Sequence, residues 1–422
     1  MAAAVLDASS INIALPVIAE ELRIKPSIAT WLVIAYQGAL VASLMPLAAI
    51  GERYGYRRAF VAGTCLFALC GGAATVTSGF GLLIALRFLQ GVGSAAIMAL
   101  GVALLRQTVA QSEFGKAISW NAMAVAIMSA AGPSIGASLL ELGSWRFVFT
   151  GGVALALMSL ALGCALPSRP SAGLKLDHLG ILAYFMFVPL FVIAVGTVGA
   201  WPMGSAFFLL SGSVGVWALI RRDRFRAHPF LPLELFRNPT FNRSVFASVA
   251  CFIGLSLALL ILPFALQARL NTNPFETAML MTPWPLAVLL TTPVTTRLLD
   301  RVNSAILCAA GGICLTCGFG ILTVASTALG VAAHLLGIIL CGIGFGLFQT
   351  PNNRNMFLAA PVDRSASAGG VQGTARLTGQ VAGALIASIL LSLLTVQIAS
   401  PVAFSISAMA TLVATMISFR RG

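Results

Sequence analysis

Asp7 and Arg87 are ionisable side chains set inside long apolar runs, and that placement is where this sequence asks for chemistry. Asp7 stands in Leu6-Asp7-Ala8-Ser9-Ser10-Ile11-Asn12 and is the one acid of twelve well inside an apolar segment. A carboxyl kept from water favours its neutral form, so it can take up and release a proton. Arg87 stands in Leu86-Arg87-Phe88-Leu89-Gln90-Gly91. A guanidinium in such a setting is expensive and must face a partner or water. The two residues read as a proton-coupling device. A permanently paired structural carboxylate is the plainer alternative.

A second group of charges follows an apolar run: Glu52-Arg53-Tyr54-Gly55-Tyr56-Arg57-Arg58, with a fainter echo at Asp300-Arg301. An acid beside a helix end and several arginines can form a latch, made in one conformation and broken in another. A simple basic anchor at a membrane face is the competing reading. Gly132-Pro133-Ser134-Ile135-Gly136 predicts a bent helix, because Pro133 removes one backbone donor. Its two glycines offer a small-xxx-small packing face. Candidate substrate contacts are Asn12, Trp31, Tyr36, Gln37, Gln90, Trp120, Asn121, Trp284, Gln349 and Asn353. Helix packing or an interfacial aromatic belt explains each of them equally well. His334 reads either as a proton relay or as a core histidine bonded to backbone.

The elements that carry these residues are membrane helices. Of 422 residues, 59% are hydrophobic and only 9% charged. A water-soluble domain cannot cover that much apolar surface. The apolar runs are continuous rather than alternating, which selects helices over a barrel. About fourteen spans are predicted: 1–19, 28–50, 59–77, 81–105, 117–140, 145–166, 179–199, 203–220, 244–266, 277–297, 304–325, 329–351, 366–393 and 402–419. The eight cysteines fall in these segments and read as small buried hydrophobes, the Cys314-x-x-Cys317 pair included. No HExxH, phosphate loop or nucleophile–base set is present, and the loops are too short for a catalytic domain, so an enzyme is not expected.

With the first residue inside, inner segments hold nineteen of the 25 basic residues and outer segments four. That bias puts both termini in the cytoplasm. It also explains the net charge of +13 without nucleic acid. In this frame Asp7 counts as nearer the inner face and Arg87 nearer the outer one, at about 1.5 Å per residue. Their contact then needs long side chains and helix tilt. The spans group as six, two and six: a bundle over 1–166, a linker with two extra helices over 167–243, and a second bundle over 244–422. The linker at 167–178 carries Pro167, Pro170 and Gly173, and the basic loop at 221–243 carries Arg224 and Arg226. The echo of Glu52-Arg53 at Asp300-Arg301 suggests that the bundles are repeats.

Several motifs together carry a family resemblance. The Glu52-Arg53-Tyr54-Gly55-Tyr56-Arg57-Arg58 loop resembles the major facilitator signature, with Glu52 for the usual Asp and Ala48 for the leading Gly. The Arg87 segment resembles that family's fourth-helix motif. Gly132-Pro133-Ser134-Ile135-Gly136-Ala137 resembles the antiporter motif, with Ala137 for its last Gly. Leu6-Asp7-Ala8-Ser9 through Asn12 to Pro16 is similar to the first-helix signature of the fourteen-helix drug:proton antiporters. The resemblance implies an all-α polytopic protein of two six-helix bundles and two extra helices. It implies proton-coupled efflux of small lipophilic compounds, cations included, from the cell membrane. It implies no cofactor beyond the proton gradient; small-molecule substrate, protons and lipids as partners; and a monomer. A metabolite exporter or symporter of the same fold, or a non-transporting sensor, is the alternative.

The charge bias yields a direct test of topology. In a background with the eight cysteines replaced, Glu113→Cys in intact cells should resist a membrane-impermeant thiol reagent, and Ser78→Cys should react. The reverse pattern would invert the orientation.

Overall fold

The computed structural model of the chain describes residues 1–110, 113–165, 177–197, 202–223, 233–325, 330–361 and 365–419. Pro167, Pro170 and Gly173 of the predicted linker lie outside these residues, as do Arg224 and Arg226. The described residues are helical and contain no strand.

In chain order the helices are α1 (Ala2–Glu21), α2 (Pro26–Ala29), α3 (Trp31–Tyr54), α4 (Tyr56–Val76), α5 (Phe80–Thr108), α6 (Phe114–Leu140) and α7 (Val148–Ala165). There follow α8 (His178–Thr197), α9 (Pro202–Asp223), α10 (Pro239–Leu270), α11 (Pro274–Met281), α12 (Pro283–Leu298) and α13 (Ser304–Val324). The last three are α14 (Gly330–Leu358), α15 (Ser365–Leu393) and α16 (Val396–Phe419). The short α2 continues into α3, and α11 into α12, so the helices form thirteen segments long and apolar enough to cross a bilayer. The shorter stretch His178–Ala194 makes a fourteenth, which meets the sequence expectation. Large apolar side chains such as Leu69, Leu162, Phe207, Leu290 and Met409 lie exposed. Lipid is the solvent that accepts such a surface.

Two compact units divide the chain. Unit 1 comprises 1–14 and 31–231; unit 2 comprises 15–30 and 232–422. Unit 1 holds α3 to α9 and the first part of α1. Its two extra helices form a hairpin in which Arg222 grips the Asp177 carboxylate with both terminal nitrogens. The hairpin meets the rest of the unit where Phe185 packs edge-on against Phe88 of α5, with ring centroids 6.4 Å apart.

In lipid the helices gain little from hiding apolar surface, so close packing must hold them together. Glycine provides the closeness. A methyl on Gly91 would strike the Tyr36 carbonyl of α3 and lie 2.9 Å from the Ala39 methyl. One on Gly93 would lie 2.6 Å from the Gly63 carbonyl oxygen of α4. The Gly91-Val92-Gly93 motif therefore wedges α5 between two helices.

Unit 2 repeats this skeleton. A methyl on Gly342 would strike the Trp284 carbonyl and lie 2.6 Å from the Ala287 methyl. One on Gly344 would lie 2.6 Å from the Gly311 carbonyl oxygen. Gly132 and Gly136 pack on α1 as Gly379 and Gly383 pack on α10. The repeat suggested by Glu52-Arg53 and Asp300-Arg301 thus extends through the helix crossings.

Gly91→Ala should cost on the order of 1–3 kcal/mol by overpacking and lower the melting temperature of the purified protein. Gly72→Ala, which meets nothing within 4 Å, should be neutral. Equal melting temperatures for the two variants would remove the packing argument.

Candidate functional site

Asp7 and Arg87 meet directly in unit 1. Arg87 Nη1 donates to Asp7 Oδ2 at 2.6 Å, and both side chains are almost wholly buried, at 0% and 2% exposure. Gln90 closes a ring: its Oε1 accepts from Arg87 Nη1 at 2.8 Å and its Nε2 donates to Asp7 Oδ1 at 3.1 Å. Arg87 Nε donates to the Leu32 carbonyl at 3.2 Å, tying α5 to α3. The guanidinium also lies over the Tyr36 ring, 4.3 Å from its centroid. Tyr36 in turn donates to Ser94 Oγ at 2.7 Å. Arg87 Nη2 is buried with no hydrogen-bond partner.

Local sequence explains this convergence. Arg87, Gln90, Gly91 and Ser94 recur at helical spacing, so they share one face of α5. Gly152 of α7 completes the enclosure, because a methyl there would lie 2.9 Å from Asp7 Cβ. The depth expected from counting along the chain was misleading. Met1 packs beside Gly101, about two helical turns inside the end of α5. Asp7 therefore stands level with Arg87, and no unusual tilt is needed.

A buried charge pair of this geometry is strong as a pair and costly as halves. Removing either partner typically costs about 3–5 kcal/mol, since the other charge is left without compensation. Gln90 can face either charge, because one amide carries a donor and an acceptor.

The helix-kink motif lies next to the same helix. Gly132, Pro133 and Gly136 are buried. Ser10 donates from Oγ to the Gly132 carbonyl at 2.9 Å, and a methyl on Gly136 would lie 2.9 Å from the Ser10 carbonyl oxygen. The motif presses α6 onto α1 one turn from Asp7.

The latch residues form two turns. Glu52, Arg53 and Arg58 are exposed, and Arg57 Nε donates to the Gly163 carbonyl of α7 at 3.3 Å. Gly55 has φ +99°, a conformation that side chains rarely adopt, so this position needs glycine. Asp300 and Arg301 are exposed in the corresponding turn of unit 2.

The substrate-contact candidates separate. Tyr36 and Gln90 belong to the charge network. Asn12 Oδ1 and Gln37 Oε1 are buried acceptors without a hydrogen-bond partner. Trp31 and Gln349 are half-buried, and Trp120 is exposed. Asn121 Nδ2 lies 3.1 Å from Met1 Sδ. Trp284 is buried against Phe319, with ring centroids 6.0 Å apart. Asn353 Oδ1 accepts from Gln372 Nε2 at 3.1 Å. His334 is buried with Nδ1 3.1 Å from the Gly330 carbonyl oxygen, the arrangement of a core histidine. Ser94, Gly152 and Phe149, whose ring centroid lies 5.7 Å from the Arg87 guanidinium carbon, were not singled out from sequence. Ser94 follows Gln90 at i+4, a signal that was available; Phe149 and Gly152 carry none.

Comparisons agree with this architecture. The family model described as Major Facilitator Superfamily matches residues 1–384. An uncharacterized transporter, YebQ of Escherichia coli, is 35% identical over 89% of this chain and 84% of its own. The riboflavin transporter RibZ of Clostridioides difficile is 26% identical over 88% of this chain and 81% of its own. The multidrug efflux pump LfrA of Mycolicibacterium smegmatis is 28% identical over 89% of this chain and 76% of its own. A crystal structure of a D-xylose-proton symporter superimposes with a TM-score of 0.73 at 15% identity, covering 99% of this chain and 95% of that one. With its helical repeat, signature turn and whole-chain match, this chain belongs to the Major Facilitator Superfamily and is a multi-pass membrane transporter rather than an enzyme.

Proposed function

We propose that this transporter is a proton-coupled exporter of small lipophilic compounds, working by alternating access with Asp7 as the proton site. The observation that carries the reading is the closed ring of Asp7, Arg87 and Gln90, buried in unit 1. An ionisable pair held away from water is costly, and transport proteins place such groups on proton routes. Proton binding removes the charge on Asp7 and frees Arg87 to bias the next conformation. Proton and substrate are then linked because each favours a different state. The Gly132-Pro133-Gly136 contact with α1 supplies a joint beside the proton site. The Glu52 and Asp300 turns supply latches at helix ends. The similarity to LfrA supports export, while the similarity to RibZ supports a metabolite as cargo. The protein works as a monomer in the cell membrane with both termini cytoplasmic.

The test uses inverted membrane vesicles energised by respiration, with ethidium, riboflavin and 1-naphthoate as probes. Wild type should accumulate at least one of them, and an uncoupler should abolish the accumulation. Asp7→Asn, which keeps the shape of the side chain, should lose uphill accumulation tenfold or more. It should retain exchange of the same compound down its gradient. Uphill accumulation by Asp7→Asn at the wild-type level would remove Asp7 from the coupling step.

A further inference from the structure

Arg376 is, with Arg87, one of the two arginines that fall inside the spans read from sequence, and the proton site does not use it. It lies on α15 three residues before Gly379, where a methyl would lie 2.6 Å from the Val249 carbonyl oxygen of α10. One turn back on the same face, Gln372 bonds Asn353 of α14. Next to it, Asn352 donates to the Ser244 carbonyl of α10 at 3.2 Å. Arg376 therefore heads a polar strip contributed by three helices of unit 2. The residue is half-buried. Its Nε is buried without a hydrogen-bond partner, and no ion pair reaches it among the described residues.

Charge balance sharpens the point. The acids of unit 2 are Glu20, Glu21, Glu234, Glu276, Asp300 and Asp363. Glu20 and Glu21 end α1, and Glu276 is engaged in the capping box of α11. Glu234 lies in a short turn before α10, and Asp300 is exposed beyond α12. Asp363 lies outside the described residues. The five described acids thus lie at or beyond helix ends, and none of them forms an ion pair with Arg376. The repeat shows the same asymmetry. Arg87, four residues before Gly91, corresponds to Ile338, four before Gly342. Arg376, three before Gly379, corresponds to Ser129, three before Gly132. Unit 1 pairs Arg87 with a carboxylate, whereas Arg376 of unit 2 has no ion pair among the described residues.

A buried guanidinium without an anion is costly, so its partner must arrive from outside the fold. We propose that Arg376 is the anion-recognition residue of the substrate site, and that the exported compound carries a carboxylate on a small apolar body. The guanidinium fork matches a carboxylate with two parallel hydrogen bonds. Gln372 and Asn353 stand beside it as further polar contacts. The lone charge rejects permanent cations, which unit 2 has no interior acid to receive. This assignment rests on the reading of the chain as a small-molecule exporter and names the class of cargo.

The test is a binding measurement on the purified full-length protein in detergent, with no gradient. The probes are 1-naphthoate, 1-naphthamide and 1-naphthylmethylammonium, which share one ring system and differ in charge. Thermal stabilisation should rank naphthoate above naphthamide, with no response to the ammonium compound. Arg376→Gln should weaken naphthoate binding tenfold or more and leave naphthamide binding unchanged. Arg376→Lys should keep part of the naphthoate preference. Asp7→Asn should keep the preference for naphthoate over naphthamide even where its affinities shift and uphill efflux is lost, so failure of proton coupling and failure of this assignment are told apart. A wild type that does not prefer naphthoate over naphthamide, or that prefers the ammonium compound, overturns the proposal. An Arg376→Gln protein with unchanged naphthoate preference also overturns it. If Arg376→Gln does not fold, the wild-type ranking and the Arg376→Lys protein decide.

Discussion

A carboxylate and a guanidinium that leave water together must compensate each other, and unit 1 is arranged around that requirement. Asp7 and Arg87 come from helices far apart in sequence, yet their polar atoms stand 2.6 Å apart. That distance is reached because the surrounding helices yield space. Gly152 lets α7 approach the carboxylate, and Gly91 lets α5 approach the backbone of Tyr36. Tyr36 then lays its ring on the guanidinium. Such a pair is weak evidence for stability, since apolar residues of similar volume often serve as well.

The second constraint is the absence of a hydrophobic drive between helices in lipid. Glycine at the crossings answers it in both units. Gly63 and Gly93 in one, and Gly311 and Gly344 in the other, bring backbones into direct contact. The two units thus share a skeleton. Their chemistry differs, because side chains at corresponding positions have diverged. Tyr36, Arg87 and Gln90 correspond to Trp284, Ile338 and Cys341, all of them buried. A repeated frame thus carries unlike interiors in the two units.

How far the sequence could be read follows from which signals are local. Apolar length gave about fourteen spans, and thirteen long segments with one shorter one are present, because a bilayer fixes the length of a helix that crosses it. Arg87 and Asp7 were legible as a site because a charge in an apolar run has few explanations. Gly132 and Gly136 were legible as packing residues because their small-xxx-small spacing brackets Pro133. The role of Gly152 was not, since a glycine in an apolar segment looks the same whether it faces lipid or a carboxylate. Gln90 was seen only as a possible substrate contact, because nothing local shows that its amide bridges two charges.

Sequence by itself determined the membrane class, the helical spans, the signature turns and the residues whose burial would need a reason. Those follow from the solvent and from residue type, which are local properties. Tertiary structure decided who meets whom. It set α1 deeper than counting from Met1 allows, and so brought Asp7 to the level of Arg87. It gave Arg87 a carboxylate and left Arg376 without an ion pair among the described residues. Depth and partnership depend on how separate helices slide and cross, and no single segment carries that information.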